Sequence, residues 1–374
     1  MARAPAAAAT EPLPEADRLE GFRHPRETVE LVGHLEAQSL LGHALASGRI
    51  HHAWLLTGPR GIGKATLAYR FARCALAPPA LREPETLSVT ADCPALHQVS
   101  ALSHPDLLVL RRPYDTKAKR FAGSIPVDEV RRLRAFLGHH AGEGAWRVVI
   151  VDQADDMNVN AANALLKSLE EPPPLTIFLL ISSEPGRLLA TIASRCCTLE
   201  LAPLAPEELR KAAVQALEAA GRPTPEDEEW QRLVALADGS VRRLLSLAQT
   251  GGLELSERIE KMLRALPEVD WVAAHTLADR LAPNQAEQQL ETFFALLLDR
   301  LARLIRARTL VSLAASPDAE LARTLIRPET LATWAELWET LVRDKAEVML
   351  LNLDRRTLVL ETLARLSAAA ASGK

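Results

Sequence analysis

The feature that most constrains this chain is a glycine-punctuated turn between an apolar strand-like run and an apolar helix-like run. The turn reads Gly58-Pro59-Arg60-Gly61-Ile62-Gly63-Lys64. Glycines at this spacing let backbone N–H groups converge on a phosphate, while the following helix presents its positive end and the lysine reaches the outer phosphates. The sequence therefore predicts a P-loop, with Gly58, Gly61, Gly63 and Lys64 as nucleotide-binding residues.

Two parts of the catalytic apparatus of a P-loop ATPase are missing. The residue after Lys64 is Ala65, whereas Mg²⁺ binding needs a Ser or Thr hydroxyl there. Thr66 follows one residue later and is rotated by about 100° around the helix axis, so it is no simple substitute.

The second missing part is the general base. Asp152 ends the apolar run 147–151, as a Mg²⁺-binding acid should, but the next residue is Gln153. An amide can orient water and cannot act as a general base at neutral pH, so the site is predicted to bind nucleotide weakly or not at all.

The apolar runs predict an α/β fold with a parallel sheet. Strand-like runs at 53–57, 107–110, 147–151 and 176–182 alternate with helix-like segments, and a fifth short strand is expected at 198–201. Leucine and alanine stripes at helical spacing dominate from residue 255 onward, which indicates helix packing. We therefore predict a disordered tail over 1–22, an α/β P-loop domain over 23–202, a helical lid over 203–253 and an α-helical collar over 254–374.

Composition limits the class of protein. The 374 residues are 48% hydrophobic and 25% charged, with a formal net charge of -4, which argues against a generally basic nucleic-acid binder. No apolar run has the length of a membrane span, and the Ala/Pro-rich start lacks a hydrophobic signal core. These features, with four cysteines in no disulfide-like arrangement, predict a cytoplasmic protein.

Several residues are candidates for binding other molecules. Arg131, Arg132 and Arg134 lie on a predicted helix and are DNA-contact candidates, although a solvated face is the alternative. Arg242 or Arg243, at a helix start in the predicted lid, could face the P-loop, and Arg242 is the candidate for nucleotide binding. Cys93 and His97 are the only close pair of zinc-type ligands, so zinc is not expected and no metal site is predicted.

Arg195 follows a short predicted helix at the edge of the sheet. A guanidinium there can project towards a neighbouring subunit, whereas a structural ion pair is the alternative for both Arg195 and Arg187.

Five motifs together resemble the subunits of the bacterial DNA polymerase III clamp loader, an AAA+ family. They are the P-loop, Asp152, the run Asn163-Ala164-Leu165-Leu166-Lys167-Ser168-Leu169-Glu170-Glu171-Pro172-Pro173, the triplet Ser194-Arg195-Cys196, and Leu351-Asn352-Leu353-Asp354-Arg355-Arg356. They occur in the family's order from about residue 25 onward. The double defect at Ala65 and Gln153 resembles the ATPase-dead branch more than the gamma/tau motor branch. Relatives often carry a four-cysteine zinc module after the P-loop helix, and Leu96 and Val99 here depart from it.

The resemblance implies a role and partners. Arg195 would act in trans as an arginine finger that completes the ATP site of the adjacent gamma/tau motor, without intrinsic ATPase of its own chain. The expected partners are the motor and delta subunits, the sliding clamp and, through the complex, primer-template DNA. Two alternatives stay open: an active gamma/tau-like motor that uses Lys64 and Asp152, and a P-loop regulator that binds nucleotide as a switch.

Overall fold

A parallel sheet of five strands organises the first part of the chain. The computed structural model describes residues 14–117, 119–138, 146–309 and 318–372. The sheet strands are β1 (Ala53–Thr57), β4 (Leu107–Leu110), β7 (Arg147–Val151), β8 (Thr176–Ile181) and β9 (Cys197–Glu200). Their spatial order is β4-β7-β8-β1-β9, and every neighbouring pair is parallel. The predicted α/β fold is confirmed, and this order brings the carboxyl ends of β1 and β7, with the P-loop and Asp152, to one edge.

Helices cover both faces of this sheet. The first helices are α1 (Leu35–Ala46), α2 (Lys64–Leu76), α3 (Pro94–Ser100), α4 (Val127–Gly138), α5 (Val159–Glu170), α6 (Ala190–Ala193) and α7 (Pro206–Ala219). Side chains of β7 alternate between two cores, with Val148 and Ile150 packed with α1 and α2 and with Val149 and Val151 packed with α4 and α5. Both faces of β7 are buried, which explains its continuous apolar run.

Short elements fill the connections. Two small antiparallel pairs are β2 (Arg82–Glu83) with β3 (Ser88–Val89), and β5 (Tyr114–Asp115) with β6 (Arg120–Phe121). Turns of 3₁₀ helix occur at Pro25–Glu27, Pro79–Leu81, Pro84–Thr86, Ala154–Asp156 and Pro185–Arg187.

The rest of the described chain is helical. The bounds are α8 (Asp227–Ala237), α9 (Val241–Thr250), α10 (Gly252–Ala265), α11 (Trp271–Leu281), α12 (Glu287–Thr309), α13 (Ala319–Leu325), α14 (Leu331–Leu351) and α15 (Arg355–Ala371), with 3₁₀ turns at Asn284–Ala286 and Pro328–Thr330. The chain forms two compact units, one of residues 1–226 with 234–243 and one of 227–233 with 244–374. In the second unit, α12 packs against α10, α13 and α14, and α15 packs against α11 and α14.

Some expectations need correction. Apolar residues recur at helical spacing over 27–47, with an interruption near Gly33, and this pattern predicts two short helices. Only α1 forms, because residues 28–33 have no regular structure. The apolar pattern also predicts helices over 328–342 and 346–366. The structure instead has α14 continuing to Leu351, where Asn352 in the left-handed conformation ends it, and α15 beginning at Arg355. Residues 14–22 of the predicted disordered tail are held in place by ion pairs, while residues 1–13 lie outside the described residues. The other predicted domain boundaries stay predictions.

Within the described ranges, no helix combines the length and apolar character needed to cross a membrane.

Candidate functional site

Two glycines give the P-loop its shape. Gly58 has a φ of 131°, and a Cβ atom there would lie 2.2 Å from the carbonyl oxygen of Leu201. A Cβ atom on Gly61, whose φ is 81°, would lie 2.5 Å from Cβ of Arg242. Only glycine permits both the positive φ and the close approach of neighbouring chain. The loop therefore packs directly against the chain after β9 and against the first turn of α9.

The lysine of the loop is bonded to its own chain. Lys64 Nζ donates to the carbonyl oxygens of Gly58 at 2.7 Å and Pro59 at 2.6 Å, and to Ser183 Oγ at 3.0 Å. These three acceptors match the three N–H groups of an ammonium. Burial lowers the pKa of Lys64 to about 8, although the charges of Asp155 and Asp152 oppose that shift. The amine is turned into the loop and its donors are already used.

Asp155 holds the residues that follow β8. One of its carboxylate oxygens accepts from Ser182 Oγ at 2.6 Å, and the other accepts from the backbone N–H groups of Ser183 at 2.6 Å and Glu184 at 3.0 Å. This fixes Ser183 where its hydroxyl reaches Lys64. Gln153, whose φ is 62°, has its side-chain oxygen 3.5 Å from the same hydroxyl. The position that carries a general base in related ATPases is therefore an amide near Ser183.

Asp152 is paired with a second carboxyl group. Burial raises the pKa of Asp152 well above its usual range, and the charge of Asp17 and a hydrogen bond with Asp17 raise it further. Asp152 Oδ2 is buried and accepts no hydrogen bond from an ordinary donor among the described residues. Burial and the neighbouring negative charge therefore both disfavour the ionised form of Asp152. Because Mg²⁺ binds an ionised carboxylate, this environment weakens Asp152 as a Mg²⁺ ligand.

Asp17 and Glu15 are held by cationic and polar side chains. Arg111 donates to Glu15 at 2.6 Å and to Asp17 at 3.3 Å, and Arg26 donates to Glu15 at 2.6 Å. His24 Nδ1 accepts from a backbone N–H, so Nε2 carries the hydrogen and lies 2.6 Å from Asp17.

These contacts decide the ionisation of both acids. Burial alone would raise the pKa of Glu15, but the hydrogen bonds from Arg26 and Arg111 lower it to about 2. Burial likewise opposes ionisation of Asp17, and its hydrogen bonds with His24 and Asp152 hold its pKa below the usual range. Both side chains are ionised at neutral pH.

Arg242 faces the P-loop, and it binds the same N-terminal stretch. Its backbone N–H donates to the carbonyl oxygen of Gly61 at 3.3 Å, and Ser240 Oγ, two residues earlier, donates to the carbonyl oxygen of Arg60 at 2.8 Å. The guanidinium of Arg242 donates to the carbonyl oxygens of Asp17 at 2.8 Å and Arg18 at 3.4 Å.

A bound Mg²⁺–nucleotide does not fit the side chains as they are arranged. Such a complex needs a hydroxyl after the P-loop lysine, an ionised strand acid and an ammonium free to reach the phosphates. This chain has Ala65, a buried Asp152 whose ionised form is disfavoured by burial and by Asp17, and a Lys64 whose three donors bond to the chain itself.

Arg195 lies after α6, away from the P-loop residues in the sequence, and is partly exposed. Its guanidinium makes an ion pair with Glu170 at 2.7 Å and donates to the carbonyl oxygen of Thr191 at 2.9 Å. The side chains of Arg195 and Glu170 are 35% and 49% exposed, so the pair lies at the surface. Arg187 makes a similar exposed pair with Glu184 at 3.4 Å.

The remaining candidate residues lie on the exposed face of α4 or in a small apolar cluster. Arg131 and Arg132 of α4 are exposed and pair with Asp128 and Glu129 one helical turn away, and Arg134 is exposed on the same helix. Their contact with DNA stays a prediction. In the described ranges no group of His, Cys, Asp or Glu could hold a metal ion, and Cys93 packs in a small apolar cluster instead.

Comparison with known proteins adds the family. The family model described as DNA polymerase III, delta subunit, matches residues 33–205. The DNA polymerase III subunit delta' of Escherichia coli K12 is 33% identical over 258 residues, which cover 69% of this chain and 72% of that protein. The chain belongs to the DNA polymerase III delta' family.

Other relatives extend the comparison. The delta' subunit of Pseudomonas aeruginosa is 38% identical to this delta' family member over 230 residues, 61% of this chain and 65% of that protein. The chain thus spans slightly less than two thirds of that relative. The tau subunit of Salmonella typhimurium is 29% identical over 249 residues, 65% of this chain and 37% of tau.

Sequence reasoning missed the residues that close the site of this delta' family member. Glu15 and Asp17 stand in an Ala/Pro-rich stretch without periodicity, so no local signal marks them. Asp155 and Ser183 could have been found, because they follow neighbouring parallel strands whose carboxyl ends meet at one edge.

Proposed function

We propose that this chain is the delta' subunit of a DNA polymerase III clamp loader, and that it supplies Arg195 to a neighbour's ATP site without hydrolysing ATP itself. The observation that carries the proposal is the contrast between its two sites. Its own P-loop lacks both the hydroxyl and the general base and has Lys64 bonded inward, whereas Arg195 is at the surface.

The chemistry assigned to Arg195 is electrostatic. Charge develops on the oxygens around the transferred phosphoryl group, and a planar guanidinium can donate two hydrogen bonds to them. To reach a neighbour, Arg195 would exchange the Glu170 carboxylate for phosphate oxygens. The pair is exposed and screened by water, so this exchange costs about 1 kcal/mol or less.

The proposed partners follow from the family. They are the gamma/tau motor whose ATP site receives Arg195, the delta subunit, the sliding clamp and, through the complex, primer-template DNA, all in the cytoplasm. The second candidate function is an active gamma/tau-like motor, which the identity to the tau subunit favours.

ATPase measurement on a reconstituted loader separates the two. The delta' proposal predicts no ATP hydrolysis by the purified chain, with or without DNA, and a rate of the complete loader that falls by at least about 100-fold in Arg195→Ala. Arg187→Ala is the matched control, because it removes an exposed ion-paired arginine from the same segment, and it should keep the full rate. DNA-stimulated hydrolysis by the purified chain would support the motor. An unchanged loader rate in Arg195→Ala would refute the finger.

A further inference from the structure

The N-terminal segment, residues 14–28, lies against the two groups that would bind the phosphate end of a nucleotide. Asp17 lies beside Asp152, the strand acid. The carbonyl oxygens of Asp17 and Arg18 accept from the guanidinium of Arg242, which starts beside the P-loop. Acid, arginine and loop all belong to one compact unit.

We propose that the N-terminal segment is an internal ligand that closes this chain's own nucleotide cleft. The carbonyl oxygens of residues 17 and 18 take the donors that Arg242 would offer to phosphate oxygens, and the side chain of Asp17 stands beside Asp152, where a cation would bind. The segment therefore competes with a nucleoside triphosphate for the same groups.

Hydrogen bonds at residues 15–17 and again at residues 26–28 hold the N-terminal segment in place. The side chains of Glu15 and Asp17 are only 10% and 8% exposed, and Arg111 binds both. Further along, Arg73 of α2 donates to the carbonyl oxygen of Thr28 at 2.9 Å, and Arg26 donates to that of Ser100 at 2.7 Å. The hydrogen bonds are charge-assisted and mostly buried, which makes them stronger than those of a loosely attached tail.

Charge explains why Glu15 and Asp17 can stay there. The cleft holds Arg111, Arg242 and, nearby, Lys64, which in an ATPase would be matched by a polyanion. Glu15 and Asp17 supply two negative charges to this cationic surface. The phenol oxygen of Tyr69 is also buried beside these acids and has no hydrogen-bond partner among the described residues.

A closed cleft lowers apparent nucleotide affinity, because only the fraction of molecules with the segment displaced can bind. Weakening the segment should raise that fraction. The exposed P-loop should then bind nucleoside triphosphate without hydrolysing it, since Ala65 and Gln153 are unchanged.

The test measures binding of a fluorescent ATP analogue to the full chain, with and without MgCl₂. The double variant Glu15→Ala/Asp17→Ala should bind at least about tenfold more tightly than the unmodified protein. Adding Lys64→Ala to it should abolish the gain, which places the ligand at the P-loop. The control Glu36→Ala/Glu207→Ala removes two exposed carboxylates outside the segment and should bind as the unmodified protein does.

Two results would overturn the proposal. One is an affinity within about twofold of the unmodified protein in a double variant whose circular dichroism shows it is folded. The other is an unmodified protein that already binds as tightly as the double variant. This binding test does not depend on the ATPase rate of the loader. A failure of the segment proposal can therefore be told apart from a failure of the proposed arginine finger.

Hydrogen exchange on the unmodified full chain covers the case in which the double variant fails to fold. The amides of residues 15–24 should exchange at least about 100-fold more slowly than in an unstructured peptide. Exchange at the unstructured rate would mean that the segment does not occupy the cleft.

Discussion

At the scale of single residues, Lys64 shows how this P-loop departs from a nucleotide-binding one. Its amine has three acceptors within the chain, and two of them are carbonyl oxygens of the loop itself. Burial makes the charged amine costly, and its pKa falls to about 8. The loop thus uses its lysine to hold its own conformation.

A pH titration of stability tests this assignment. Between the folded pKa of about 8 and the usual value of 10.5, the unfolded chain binds a proton that the folded chain lacks. The free energy of unfolding should therefore rise with pH across this window. Denaturant unfolding of the full chain at several pH values measures it, with Lys64→Met for comparison.

Other groups titrate in this window, so the informative quantity is the difference between the two proteins. Lys64→Met should lack the part of the rise that Lys64 contributes. Identical pH dependence in both proteins would contradict a buried Lys64 ammonium.

Arg195 is a residue whose removal should disturb little else. Its partner Glu170 is about half exposed, and exposed pairs contribute about 0.2–1 kcal/mol to stability. Arg195→Ala should therefore fold normally, and a change in loader activity can be attributed to the lost guanidinium.

The sequence predicted these residues unequally. The P-loop glycines, Lys64 and Asp152 stand in local patterns, so their positions were foreseeable. Arg242 was placed near the P-loop because it begins a helix, although its partners were not predicted. Asp17 could not be predicted, because its burial depends on Arg111 and Arg242, which are distant in the chain.

At the scale of elements, the P-loop is positioned by β1 and by the chain that leaves β9. The carbonyl oxygen of Leu201 comes so close to Gly58 that no side chain fits. β9 pairs with β1 up to Thr57, so this contact continues the sheet into the turn. The P-loop turn is therefore fixed in place by the edge of the sheet.

Two alanine substitutions compare this turn with an ordinary helix end. Gly58→Ala combines a φ of 131° with a 2.2 Å clash against backbone and should destabilise the protein by at least about 1–3 kcal/mol. Gly138→Ala at the end of α4 meets nothing within 4 Å and should be neutral or stabilising by about 0.5–1 kcal/mol. Denaturant unfolding measures both, and equal effects would contradict the packing of Gly58.

The sequence predicted the elements that have a strong apolar pattern. It did not predict those whose conformation depends on contacts with distant residues. The buried strands β7 and β8 have continuous apolar runs, and their bounds were nearly right. The helix expected before Gly33 did not form, because Pro25 and the left-handed Gly33 and His34 break the period. The N-terminal segment has no element of its own for a pattern to reveal.

At the scale of the whole molecule, we propose that the chemistry is divided between chains. The chain belongs to the delta' family, and its role in a clamp loader is our proposal. Sequence could not predict which surfaces meet partners, because an interface depends on the other chains as much as on this one. Some exposed side chains, such as Val272 and Leu351, are apolar, so the charged residues alone do not identify the surfaces that meet partners.

The most direct test is a structure of the assembled loader with a non-hydrolysable ATP analogue, in which the distance from the Arg195 guanidinium to the nearest γ-phosphate oxygen is measured. We predict a neighbour's γ-phosphate within hydrogen-bond distance of about 3 Å, with the contact to Glu170 given up or shared. Arg195 still bound only to Glu170, with no neighbouring nucleotide within reach, would contradict the account.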